Sequence, residues 1–135
     1  LRTQFEANML ILLVDDNLDN RNVAERQLVH LGYQVHPVES GKIALDVLAE
    51  SGDQYDLILM DCQMPVMDGY ETTRKIREME GDVEQRIPIV ALTASARGDV
   101  YKKYEAAGMD DLIFKPMTLE QLSTVIERWR KPGTS

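Results

Sequence analysis

The sequence predicts an α/β fold in which a five-stranded parallel sheet carries helices on both faces. Three observations lead there. Short apolar runs alternate with stretches of helical spacing five times along the chain. Four of these runs are continuously apolar, which is how strands covered on both faces read. The fifth contains Pro37, which cannot donate to a ladder and therefore belongs at a sheet edge. At 135 residues, with 44% hydrophobic and 28% charged, the chain suits one compact domain with a real core.

Each element has its own signal. Leu10–Val14 is the first apolar run. Ala24, Leu28 and Leu31 then fall at i, i+4 and i+7, and Gly32 stops the helix. The stretch 33–38 alternates and is the edge strand. Ser40 caps a helix whose buried face includes Ala44, Leu45 and Leu48. The runs 57–60, 89–92 and 112–114 are the third, fourth and fifth strands. Between them, Tyr70, Thr73 and Ile76 recur at spacings of three, and Val100, Tyr104 and Ala107 lead to Gly108. Thr118 with Gln121 forms a capping box for a last helix whose face is Leu119, Leu122, Ile126 and Trp129.

Right-handed crossovers and an edge position for Pro37 select the strand order 2-1-3-4-5. The architecture is a (βα)5 flavodoxin-like three-layer sandwich. Its expected limits are 9–130, with 1–8 a tail or linker and 131–135 a tail. A first residue of Leu reads as a piece cut from a longer chain.

Composition removes several function classes. A formal charge of −8 disfavours nucleic acid, whose affinity comes from Lys and Arg neutralising phosphates. The longest apolar run, 9–14, falls far short of the roughly 20 residues that span a bilayer. No signal peptide is legible. The single cysteine, Cys62, excludes an internal disulfide and fits a reducing compartment. The expectation is a cytoplasmic monomer without membrane contact.

In open α/β sheets ligands bind beyond the carboxyl ends of the strands, where the order reverses. The first run ends in Asp15-Asp16, the third in Asp61, the fourth in Thr93 and the fifth in Lys115. Three ionised carboxylates repel, and one lysine does not balance them. A hard divalent cation would, and oxygen donors of this kind suit magnesium. Such a site can transfer phosphoryl groups, with cation and lysine neutralising the phosphoryl oxygens while a carboxylate attacks. Asp61, alone at its strand end, is the candidate nucleophile; Asp15 and Asp16 suit metal binding.

The stretches ILLVDDN, LILMDCQMPVMDGYE, IVALTA and FKP closely resemble the four signature regions of response-regulator receiver domains, over nearly the whole of 9–130. The resemblance implies that Asp61 accepts a phosphoryl group from a phosphohistidine. It implies magnesium held by Asp16, Asp61 and the backbone carbonyl of Gln63, with Asp15 orienting metal-bound water. Thr93 would hydrogen-bond one phosphoryl oxygen and Lys115 would pair with another, beside a cis Lys115–Pro116 bond. The partner implied is a histidine kinase domain or a histidine phosphotransfer protein. The wording MDCQMPVMDGYE is most similar to receivers of hybrid histidine kinases. Self-phosphorylation and autodephosphorylation are the implied activities, and whether the parent chain is itself a kinase is left open. One position departs: receivers usually carry Tyr or Phe three residues before the lysine, and here Leu112 stands there.

Blander readings compete. Cys62 is read as a small half-buried residue rather than a redox sensor, and Asp110-Asp111 as a solvated loop rather than a second metal site. His30 and His36 lack the surroundings of a phosphohistidine relay site. Met64 and Met67 flank the active-site loop, as core or loop filler or as partner contacts. An aspartyl phosphatase would need an acid two residues after Asp61, where Gln63 stands and cannot supply a proton. A flavodoxin would need a donor-rich loop after the first strand, whereas Asp15-Asp16 repels a phosphate. A degenerate docking-only receiver is disfavoured because all five site positions are filled.

Overall fold

A computed structural model of the chain describes residues 9–82, 86–94 and 99–130; the expected tails 1–8 and 131–135 lie outside these. The elements are β1 (Leu10–Val14), α1 (Leu18–His30), β2 (Gln34–Val38), α2 (Gly41–Ser51), a short 3-10 turn (Gly52–Gln54), β3 (Leu57–Asp61), α3 (Gly69–Glu80), β4 (Ile89–Thr93), α4 (Val100–Ala107), β5 (Asp111–Phe114) and α5 (Leu119–Arg128). All strand pairs are parallel, in the order β2-β1-β3-β4-β5, as the sequence predicts.

The continuous apolar runs divide between two cores because successive strand residues face opposite ways. Ile11, Leu13, Leu57, Leu59, Val90 and Leu92 pack against Ala24 and Leu28 of α1 and Leu122, Val125 and Ile126 of α5. Leu12, Val14, Ile58, Met60, Ile89 and Ala91 pack with Ala44 and Leu48 of α2 and Ile76 of α3. Pro37 sits in β2, which pairs only with β1. Among the described residues no helix is long and apolar enough to cross a membrane.

Four helix starts are capped by side chains. Asn17 accepts from Asn20 N–H, Ser40 from Ile43 N–H, Asp68 from Glu71 N–H and Thr118 from Gln121 N–H. At Thr118 the capping box is reciprocal.

Three expectations need correction. Leu119 is exposed rather than buried. Helical side chains lean toward the N-terminus, so the first residue of α5 leans off the helix end. Cys62 is fully buried, not half-buried. Asp110 and Asp111 do not form a solvated loop. Asp111 opens β5 and accepts from Arg128 Nη1 (2.6 Å) and Trp129 Nε1 (2.8 Å). Asp110 accepts from Arg77 Nη2 (2.8 Å), Arg86 Nη2 (2.7 Å) and Ile89 N–H (2.9 Å).

Arg77 is the hub of that last group. Its guanidinium also donates to Gly108 O (2.9 Å), Glu80 Oε1 (2.7 Å) and Ile87 O (2.8 Å). One side chain thus ties α3 to the entry of β4 and the end of α4, at the edge opposite the carboxyl ends. Gly108 makes room for it: at φ 98°, a Cβ there would lie 2.9 Å from Arg77 Cγ. Removing Arg77 would leave the mostly buried Asp110 carboxylate short of its main partner, a loss that typically costs about 3 kcal/mol. Arg77→Met is therefore expected to lower the unfolding free energy by about that amount in urea titration; a change below about 0.5 kcal/mol would contradict the hub role.

Candidate functional site

The five strands run one way, so their carboxyl ends share a rim, and the order reverses between β1 and β3. Asp15 follows β1, Asp61 ends β3, Thr93 ends β4 and Lys115 follows β5. Asp15, Asp16 and Asp61 each offer an oxygen within 4.8 Å of the others. Asp15 and Asp61 are buried and Asp16 is exposed. Lys115 Nζ lies 3.3 Å from Asp15 Oδ2 and 3.3 Å from Asp61 Oδ1. Thr93 is buried, and with Cys62 and Gln63 it lines a cavity of about 150 Å³. The backbone N–H of Gln63 faces Asp61 Oδ1 at 3.4 Å. The three carboxylates and Lys115 therefore share one cleft, and Thr93 opens onto a cavity beside Gln63 at the same rim.

Local structure fixes them there. Asp15 N–H donates to Val38 O (3.2 Å), Asn17 N–H donates to Asp15 Oδ1 (3.0 Å), and Arg21 Nη1 donates to Asp15 O (2.8 Å). Lys115 N–H donates to Thr93 O (2.8 Å), and the Lys115–Pro116 peptide is cis, as the resemblance implies. Asn17 and Arg21 are the positioning residues that sequence reasoning passed over. An Asn just before a helix was a legible cap signal. Arg21 was not legible, because its bond goes to a main-chain oxygen.

The electrostatics follow from burial and crowding. Burial, and then the neighbouring Asp15 charge, push the Asp61 carboxyl up to about 6, although Lys115 and the Gln63 N–H pull the other way. Burial opposes the charge on Lys115, but Asp61 and Asp15 outweigh it and hold the ammonium above its ordinary value. When all three carboxylates ionise, one ammonium leaves a local charge of about −2. The donors are all oxygens and the charge excess is that of a divalent cation, so the set fits magnesium. Cys62 takes no part: burial raises its thiol to about 11, far from a reactive thiolate.

Comparisons with known proteins place the chain in a family. Residues 11–127 match the family model described as the response regulator receiver domain. The chain is 44% identical over 119 residues to Hybrid signal transduction histidine kinase G of Dictyostelium discoideum, covering 88% of this chain and 3% of that protein. It is 39% identical over 140 residues to Histidine kinase 2 of Arabidopsis thaliana, covering 90% of this chain and 12% of that one. The chain thus spans a small fraction of these long relatives. A solved structure of the receiver domain of sensor histidine kinase PA1611 from Pseudomonas aeruginosa PAO1, with a magnesium ion in its active-site cleft, has 41% identity and a TM-score of 0.79. That match covers 90% of this chain and 97% of the other.

The raised Asp61 carboxyl has a consequence for stability. Its proton is held to about pH 6 in the fold but only to about pH 4 in an unfolded chain. The folded state therefore loses stability as pH rises through that window. Without metal, Asp61→Asn is expected to melt higher than the parent at pH 7, by about 1 kcal/mol or more, with the gap closing by about pH 4. Thermal melts across this range check it; a gap independent of pH would contradict the crowding.

Proposed function

Because the chain belongs to the response regulator receiver family, we propose that it takes a phosphoryl group onto a carboxylate oxygen of Asp61 in a magnesium-dependent reaction. The observation that carries this reading is the single rim on which two buried carboxylates, an exposed one and a lysine converge.

The donor is a phosphohistidine. An Asp61 oxygen attacks phosphorus while the phosphorus–nitrogen bond opens, and the imidazole leaves with the bonding pair. Asp16, Asp61 and the Gln63 carbonyl would hold magnesium, with Asp15 ordering its water; bound there, the cation supplies positive charge at the transferring oxygens. Lys115 turns from the free carboxylates to one phosphoryl oxygen, and the Thr93 hydroxyl donates to another. Hydrolysis of the phosphoaspartate returns Asp61 to its starting state.

The length of the relatives favours a larger setting. We read the chain as the receiver of a hybrid histidine kinase or another phosphorelay protein, working as a cytoplasmic monomer. A histidine kinase domain or histidine phosphotransfer protein is its partner. Leu112, half-buried in β5, lacks the ring and hydroxyl of the usual aromatic switch. A muted change at β4 and β5 suits a domain that passes the phosphoryl group on.

Incubation with acetyl phosphate and magnesium should add one phosphoryl mass to the parent and none to Asp61→Asn or to the parent in EDTA. Equal labelling of Asp61→Asn, or labelling unaffected by EDTA, would refute the assignment.

A further inference from the structure

The loop between β3 and α3 is closed at its base against the main chain of Asp61 and Cys62. Gly69 N–H donates to Cys62 O at 3.1 Å, and a Cβ on Gly69 would lie only 2.2 Å from Asp61 O. At the tip, Met67 N–H donates to Pro65 O at 2.7 Å around Val66, whose φ is 69°. A hydrogen bond between residues two apart across a positive φ is the strained form of γ-turn. A β-branched side chain suits it least.

Among the described residues Val66 is the one non-glycine with positive φ. Its side chain is also fully exposed, at 105% relative accessibility, so no packing inside the chain offsets the strain. Glycine or asparagine would take this conformation more easily. Backbone strain that packing does not explain points to function at the position where it is kept. Leu18 opens α1 at the carboxyl end of the neighbouring strand and is 59% exposed. The acidic cluster thus has an exposed apolar residue at the start of the helix after β1 and another in the loop after β3. A small phosphodonor reaches Asp61 without touching either. A protein donor must bring the surface around its histidine down onto this rim.

We propose that Val66 determines donor specificity, as an apolar contact for the surface surrounding the phosphohistidine of a donor protein. This rests on the reading of Asp61 as phosphoacceptor. The test uses the full chain, acetyl phosphate, and whichever of a panel of purified phosphorylated histidine phosphotransfer proteins labels the parent fastest. Val66→Gly and Val66→Asn should melt above the parent and label normally with acetyl phosphate. Both should accept from the protein donor at least tenfold more slowly. Val66→Ile, which keeps both strain and apolar surface, should transfer like the parent. Unchanged protein transfer in the Gly and Asn variants would overturn the proposal while leaving Asp61 as acceptor. Equal slowing with both donors would overturn it too, since Val66 would then act on the site and not on the donor. If acetyl phosphate fails to label even the parent, the phosphoacceptor reading itself falls, and if no panel member does, the protein-donor reading falls with this proposal.

Discussion

The functional end of the molecule is governed by two buried carboxylates, Asp15 and Asp61, that share one lysine at 3.3 Å each. The fold makes their meeting unavoidable. Parallel strands β1 and β3 are neighbours in register, Val14 opposite Met60, so the residues that follow must crowd the same rim. Asp16 adds a third carboxylate within 4.8 Å. The chain tolerates this because Asp61 can hold its proton up to about pH 6, and because a cation can complete the site. A site left short of positive charge is one prepared to receive a metal and then a phosphoryl group.

The opposite edge of the sheet is built on the contrary principle. Around Arg77 every guanidinium nitrogen has an acceptor, and Asp110 takes two arginines and a main-chain N–H. Charges there are balanced and tie four segments together. One end is rigid and satisfied, while the other keeps its electrostatic strain for chemistry. The strained Val66 turn stands at the reactive end, in the loop that follows Asp61.

Most of the fold was legible because the central strands β1, β3 and β4 are buried on both faces, which writes them as unbroken apolar runs. The expected ends of β3 and β4 fell one residue short. Asp61 and Thr93 still pair, with Leu92 and Phe114, although both are polar. The site residues were legible for the same reason, as polar residues interrupting apolar runs at positions the topology brings together. The rest depends on contacts distant in sequence. Arg77 and Asp110 are 33 positions apart, and neither looks buried by composition. Asp111 reads as a loop acid until Arg128 and Trp129 fold back onto it. The positive φ of Val66 accompanies the turn in which Met67 N–H donates to Pro65 O, and no preference of valine announces it.

The central claim is that carboxylate crowding, set by the fold, creates the metal site. Calorimetric magnesium titration of the parent and Asp16→Ala, together with their metal-free melting temperatures, tests it most directly. The account predicts that the variant binds magnesium about tenfold more weakly or worse, a difference of about 1.4 kcal/mol, and that without metal it melts at or above the parent. Unchanged magnesium affinity, or a metal-free variant that melts well below the parent, would contradict it.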